Sequence, residues 1–333
     1  MAGYHHQWAP GSHTLALAGW LHNDQRIGDQ SATNLLVIRN AQQQITAVGG
    51  LPFDVKYQSV FDVFTGELNQ ILQNESFTLV AGCRIQSGQF HSTDSMLLAP
   101  GSIYAPVFPK PPSAADVTED FNRAAGYGYL TWKLRSNLQL TGGLDYDTIT
   151  MPGNLRSPPL TTSSTSTDHW GPKAAASWSP FSFATLRGAY SRSLGGVSFE
   201  DSYRLEPTQL EGFVQSFRTL IPESLVGSVS APAYETVGVA LDLKLRTRTY
   251  LTLEGQWLQS TVNRDLGVFQ SPPVGVLFKP ATLAQTLDYD ERSAGFALNQ
   301  LAGREWAFAL RYRYTWAQLD QRLPAVPLTI ANS

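Results

Sequence analysis

The sequence predicts an all-β fold, an antiparallel up-and-down transmembrane β-barrel, and three observations predict it. Apolar and polar residues alternate with period two through runs of roughly 9–13 residues, the length needed to cross hydrocarbon at a strong tilt, whereas soluble strands usually run about 5–6. Tight turns and long connections alternate along the chain, as expected when one rim carries periplasmic turns and the other extracellular loops. Charged residues make up only 15% of the 333, yet the chain is rich in Gly (27), Trp (8), Tyr (13) and Phe (16). With a mean hydropathy of -0.17 and no run of about 18 uncharged apolar residues, no helix is expected to span a bilayer.

The strands follow in order. Leu15, Leu17, Gly19 and Leu21 oppose Thr14, Ala16, Ala18 and Trp20. A pair of strands near 32–72 shows no clean alternation. Phe77, Leu79, Ala81, Cys83 and Ile85 oppose Thr78, Val80, Gly82, Arg84 and Gln86; Leu138 to Tyr146 oppose Gln139 to Asp147 in the same manner. Leu186, Gly188 and Tyr190 oppose Thr185, Arg187, Ala189 and Ser191. Val237, Val239, Leu241, Leu243 and Leu245 oppose Thr236, Gly238, Ala240, Asp242 and Lys244; Leu251, Leu253 and Trp257 oppose Thr252, Glu254 and Gln256. The last run sets Trp306, Phe308, Leu310, Tyr312, Tyr314 and Trp316 against Ala307, Ala309, Arg311, Arg313 and Thr315. The expected total is about 12–14 strands.

Short links fall at Pro10–Ser12, Gln73–Ser76, Arg135–Asn137, Ser179–Ser182, Arg246–Arg248 and Ala302–Glu305. Long extracellular loops are expected near 24–31, 91–116, 150–168, 193–233 and 263–285, and the whole of 1–333 reads as one barrel region. The 150–168 loop, with its Ser/Thr run after Pro158 and Pro159, reads as low-complexity and mobile. Trp8, Trp20, Tyr129 with Trp132, Trp178, Tyr250 with Trp257, and Trp306 with Trp316 are candidates for interfacial aromatic girdles.

A net charge of -3 argues against nucleic acid as a partner. Outer-membrane lipid and a small solute are the expected partners, in the outer membrane of a Gram-negative-type bacterium. Met1 is followed by Tyr4-His5-His6-Gln7-Trp8 with no charged and apolar leader pattern, and the chain stops at Ile330-Ala331-Asn332-Ser333, where barrels often close on an aromatic. The sequence therefore reads as a piece of a longer product, its sheet an open arc or an imperfectly closed part of a larger barrel.

No catalytic constellation is found: G-x-S-x-G, H-E-x-x-H and the P-loop are absent, and Asp168-His169 near Ser166 has adjacency without geometry. The chain reads as a non-enzyme with no cofactor. No metal site is expected. His5, His6 and His13 read as rim histidines without ligand spacing, and Asp288, Asp290 and Glu291 as a solvated acidic rim rather than a calcium loop. Cys83, the single cysteine, reads as a small lipid-facing hydrophobe. The better functional candidates are charges on the polar faces, expected to line the lumen: Arg84, Lys133, Arg187, Asp242, Lys244, Glu254, Glu291, Arg311 and Arg313. Such charges set solute selectivity through the local field, or satisfy one another across strands. Within the 193–233 loop, Phe199, Tyr203, Arg204, Glu206, Phe213, Phe217 and Arg218 are candidate ligand contacts. A short helix is expected from about 206 to 218, with Leu210, Phe213, Val214 and Phe217 on one face, folding over the pore mouth as a lid.

The stretch 172–269 carries a family resemblance. Pro172-Lys173-Ala174-Ala175-Ala176-Ser177-Trp178-Ser179-Pro180, then Thr185-Leu186-Arg187-Gly188-Ala189-Tyr190-Ser191-Arg192-Ser193, resembles the central strands of TonB-dependent receptors. Tyr234-Glu235-Thr236-Val237-Gly238-Val239-Ala240-Leu241-Asp242-Leu243-Lys244 is similar to the strand that follows their loop. Departures at Ser193–Phe199 and Arg204–Gln209 bring it nearer a branch of receptor-like barrels sometimes fused behind tetratricopeptide repeats. The resemblance implies a barrel for solute passage or receptor-type uptake without its plug, TonB box and closing strands. A periplasmic or tetratricopeptide region of the same protein would be a further partner. Two alternatives stand beside transport: a membrane-anchored binding or assembly module working through its loops, and a soluble all-β carbohydrate-binding protein.

Overall fold

A computed structural model describes residues 1–154, 156–197, 203–215, 231–271, 277–303 and 305–331. Twelve strands form one antiparallel meander: β1 (Ala2–Ala9), β2 (Ser12–Arg39), β3 (Ile45–Gln73), β4 (Phe77–Leu98), β5 (Asp116–Arg135), β6 (Leu138–Pro152), β7 (Ser164–Phe181), β8 (Ala184–Leu194), β11 (Ala233–Lys244), β12 (Thr249–Gln270), β13 (Lys279–Ala302) and β14 (Trp306–Arg322). Two short strands, β9 (Gln209–Leu210) and β10 (Phe213–Val214), pair with each other inside the connection from β8 to β11. Phe269 and Gln270 of β12 run parallel to Leu36 and Val37 of β2, closing a ring of nine strands, β2 to β8 with β11 and β12. β1 is attached to β2 outside that ring, and β13 and β14 to β12. Every residue of β14 but Leu319 is exposed, so both of its faces are open.

The tight turns expected at 10–12, 73–76, 135–137 and 246–248 join their strands as expected, the one expected at 179–182 falls at Ser182–Phe183, and these turns share one rim. The lipid-facing surface can be traced from it. Trp8, Phe77, Trp132, Trp178, Phe181 and Trp306 are exposed close to the turns. Higher up, Trp20 stands opposite Phe64, Tyr146 opposite Trp170, and Trp257 and Trp316 flank Arg292. Leu68, Leu130, Leu144, Leu186, Val239, Leu253 and Leu310 are exposed between the two levels. From Trp306 to Trp316 the strand climbs roughly 25 Å at a tilt of about 40°, close to the ~25 Å apolar band of such barrels. Tyr250 is not in the girdle, because it shares the face of Thr252 and Glu254 rather than that of Trp257. Nor is Tyr129, which has the opposite parity to Trp132 and is buried inside the ring.

Above the upper girdle the strands continue and exchange their faces. The outward positions become His22 and Asp24 on β2, Asp62 on β3, His91 on β4, Asp120 on β5, Asp168 on β7, and Gln259 and Thr261 on β12. The inward positions become apolar: Phe61, Val63, Phe90, Phe121, Ile149, Met151 and Leu194 form one cluster. Leu51, Phe53, Val55, Met96, Phe108 and Phe269 form a second, higher one. Within lipid the sheet is apolar outside and polar inside; above it, water is outside and the apolar residues turn in.

This exchange corrects several loop boundaries. Residues 24–31 are part of β2, and 32–72, where the sequence shows no clean alternation, belongs to the long β2–β3 hairpin turning at 40–44. On β3 the outward Phe64, Leu68 and Leu72 and the inward Phe61 and Val63 have opposite parity, so the period-two signal changes phase mid-strand. The long connections shrink to 99–115, 153–163, 195–232 and 271–278. The Ser/Thr-rich connection is folded across the upper lumen rather than left free. Leu160 is buried, its N–H donates to Asp94 Oδ2 (2.6 Å), Ser163 N–H donates to Glu119 Oε1 (2.6 Å), and Asn34 donates to the Pro158 carbonyl (2.5 Å).

Leu253→Arg, midway between the girdles, should lower stability in lipid vesicles by about 2–4 kcal/mol, whereas Gln259→Arg, on the same face above the upper girdle, should change it by no more than about 0.5 kcal/mol. Urea unfolding of both variants measures the difference. Equal effects would show that the apolar band does not end at Trp257.

Candidate functional site

The polar residues that lipid excludes from the outer face converge in the lower lumen. One hydrogen-bonded row of the wall places Glu67 beside Arg84, then Ala125, Asp147 and His169. The next row, nearer the turns, holds Asn69, Gly82, Tyr127, Asp145 and Gly171. These charges are taken out of water and therefore must pair. Arg123 Nη2 meets Asp147 Oδ2 at 2.5 Å and its Nε meets Oδ1 at 2.9 Å, with both side chains nearly inaccessible. Lys173 Nζ lies 3.2 Å from Asp145 Oδ2.

Into this wall comes a segment of the β8–β11 connection. Its strands β9 and β10 turn at Glu211 and Gly212, whose positive φ angles (47° and 86°) are those of a two-residue type I′ hairpin. The expected helix is thus replaced by a hairpin, because Glu-Gly is turn chemistry and Leu210 faces Phe213 across the strands. Although β8 ends and β11 begins at the far side, the hairpin tip reaches residues adjoining the short turns. It lies within the barrel rather than over its mouth.

Wall side chains hold the hairpin at three levels. At its entry, Glu206 accepts a hydrogen bond from the Tyr129 hydroxyl (2.5 Å) and pairs with Arg204, while its own N–H donates to Glu67 Oε1 (3.0 Å). Tyr127 donates to the same Glu67 oxygen (2.8 Å), and Asn69 Nδ2 donates both to Tyr127 Oη (2.9 Å) and to the Leu205 carbonyl (3.2 Å). In the middle, Leu210 packs with Tyr127, Tyr129 and Ala175. Phe213 lies against Gly238, where a Cβ would come within 2.3 Å of the ring; only glycine permits that approach. At the tip, Arg187 bonds Asp242 (2.6 and 3.3 Å), donates to the Glu211 carbonyl (2.6 Å), and stands 5.6 Å over the Phe213 ring. Gln139 Nε2 donates to Glu211 Oε1 at 2.8 Å.

The candidates drawn from sequence divide accordingly. Arg84, Arg187 and Asp242 are in the lumen wall, and Lys133 and Lys244 are exposed at the short-turn rim. Glu291, Arg311 and Arg313 are on β13 and β14, beyond the closure. Arg313 reaches back to Glu254 (3.3 Å), and Glu291 accepts from Tyr289 (2.7 Å). Arg204, Glu206 and Phe213 are hairpin contacts, whereas Tyr203 is largely exposed beside Leu17 and Trp20. Phe199, Phe217 and Arg218 lie outside the described residues. Sequence reading missed Glu67, Asn69, Tyr127, Tyr129, Asp145, Asp147 and Lys173 as a constellation. For Asp145 and Asp147 the polar parity of their strand was the available signal. Among the described residues, no group of three or more His, Cys, Asp or Glu side chains is placed to hold a metal ion; His5 and His13 meet only each other, at 3.0 Å.

A family model described as TonB dependent receptor-like, beta-barrel matches residues 1–332. Among solved structures, the chain is similar to the copper transporter OprC (13% identity, TM-score 0.53, 93% of this chain and 44% of that one). It is also similar to BauA, the ferric preacinetobactin receptor from Acinetobacter baumannii (12%, 0.51, 96% and 44%), and to the FpvAI–pyocin S2 complex (11%, 0.50, 96% and 40%). The likeness is one of fold, and the chain spans less than half the length of these structures. No curated protein matches it.

Asp147→Ala should cost about 3–5 kcal/mol, because it strands a buried guanidinium, while Arg123→Met with Asp147→Leu should recover most of that loss. Urea titration of the three proteins measures both steps. Above the membrane, burial raises the Glu119 pKa despite the bond from Ser163. The folded state then holds this proton more tightly than the unfolded, so the penalty acts above the folded pKa and is relieved as pH falls through it. Glu119→Gln should remove that component from a stability-versus-pH profile; an unchanged profile would place the dependence elsewhere.

Proposed function

The chain belongs to the TonB dependent receptor-like β-barrel family, and from that premise we propose that it passes a polar solute across the outer membrane without chemical change. It is an outer-membrane protein in contact with lipid over its apolar band. The observation that supports passage is the wall enclosed by that band. It is hydrophilic, bears both signs of charge, and is occupied by a segment of the chain's own β8–β11 connection instead of a closed apolar core. Arg187 and Asp242 stand at the inner end of this route, where they would act on the solute's charge. A periplasmic or tetratricopeptide region of the same protein would meet the barrel at the short-turn rim, near Lys133 and Lys244.

One observation favours the second reading, a barrel that anchors an assembly or binding surface. The strands rise well above the upper girdle and present polar pairs there, such as His22 with Asp62 (2.8 Å) and His91 with Asp116 (3.6 Å). A soluble carbohydrate-binding protein is disfavoured, since a continuous outward band of this size would face water.

Planar-bilayer recording separates the two readings. The intact chain should stay mostly closed, and a variant with residues 203–215 and 153–163 both replaced by Gly/Ser linkers should give sustained conductance steps. A folded, inserted variant that never conducts would overturn passage and leave the anchor.

A further inference from the structure

We propose that the lumen wall gripping the hairpin is a binding site for an extended acidic peptide, and that residues 203–215 are its built-in occupant. The contacts themselves specify the ligand class. Three wall side chains read main-chain groups: Glu67 accepts the Glu206 N–H, Asn69 donates to the Leu205 carbonyl, and Arg187 donates to the Glu211 carbonyl. Glu67 and Asn69 thus read the N–H and C=O of one peptide unit, between Leu205 and Glu206, and Arg187 reads a second carbonyl, a pattern that fits a peptide rather than a simple ion. Two further wall groups, the Tyr129 hydroxyl and the Gln139 amide, are spent on the carboxylates of Glu206 and Glu211. That gives the site its acidic preference. Two apolar seats complete it, one under Leu210 formed by Tyr127, Tyr129 and Ala175, the other over Gly238 where Phe213 rests.

The occupant fits this wall incompletely. Glu67 Oε2, Asn69 Oδ1 and Asp145 Oδ1 are buried and lack a hydrogen-bond donor, although the parent residues are at least nine-tenths buried. A buried acceptor left unmade costs free energy. A peptide offering additional amide N–H groups along this row would satisfy what the hairpin leaves open. The hairpin holds its place through tethering: joined to β8 and β11, it acts at an effective concentration on the order of millimolar. A free ligand must outbid that, so the hairpin sets a threshold for entry.

The inference rests on the lumen being open to water, as the transport reading also holds, but capture and conduction are separate measurements. The test uses a fluorescein-labelled peptide of the sequence of residues 203–215 and fluorescence anisotropy on the full chain in detergent micelles. A variant with residues 203–215 alone replaced by a Gly/Ser linker should bind this peptide saturably and a scrambled peptide at least about tenfold more weakly. The intact chain should not bind it. Adding Arg187→Ala to the linker variant should weaken binding about tenfold or more, as expected for loss of a charge-assisted hydrogen bond. If the linker variant does not fold, Leu210→Asp with Phe213→Asp in the uncut chain unseats the hairpin without altering the wall and should expose the same site. Folded protein that fails to bind, or that binds the scrambled peptide equally well, overturns the proposal. Conductance without binding would overturn it while leaving passage intact.

Discussion

A strand crossing hydrocarbon has no water to satisfy its amide and carbonyl groups, so each must be paired by a neighbouring strand. Everything else in this molecule follows from that constraint. It demands long antiparallel ladders with short turns at one rim. It sends Leu68, Leu144, Val239 and Leu253 to the lipid, and by parity alone it drives Glu67, Arg84, Asp145, Asp147 and Lys173 into the lumen. Those groups cannot remain bare in a confined interior, and the ion pairs Arg123–Asp147 and Lys173–Asp145 are the result. The constraint ends at the upper girdle. There the same strands invert, with Phe61, Phe90 and Phe121 stacked inside and His22, Asp62 and Asp120 turned to water.

The inserted hairpin is the second consequence. A wall this polar is poorly matched to an apolar filling, and the chain fills it with a segment that carries its own backbone groups, two carboxylates and two apolar pegs. Arg187 ties the parts together, since one guanidinium meets a wall carboxylate, a hairpin carbonyl and an aromatic face. Above it the Ser/Thr-rich connection spans from β6 and β7 towards β2 and β12, pinned by Asp94, Glu119 and Asn34. The lumen is thus occupied at two heights by connections that start at the same rim.

The regions where sequence reading succeeded and failed have distinct physical origins. Runs such as 234–245 and 306–316 keep a single phase within the apolar band, and their strands and turns are where the pattern puts them. Runs crossing the upper girdle do not. On β3 the phase changes between Val63 and Phe64, and on β2 the polar residues 22–26 mimic a loop although the ladder with β3 continues. The site was half legible. Arg84, Arg187 and Asp242 follow from parity, as Asp145 and Asp147 could have done, but Glu67 and Asn69 lie in the very strand whose phase slips. Glu206 and Phe213 could be picked out as loop residues; their position in the lumen could not.

The sequence by itself determined the amphipathic strands, the up-and-down order, the rim that bears the turns and the membrane that such strands require, because these depend on residues near one another along the chain. Tertiary structure alone decided where the ring closes, through Phe269 and Gln270 beside Leu36 and Val37, and that the β8–β11 connection enters the barrel. Both are set by contacts between residues far apart in sequence. Whether a loop covers a lumen or fills it depends on the complementarity of a wall contributed by many strands at once, and no local pattern encodes that sum.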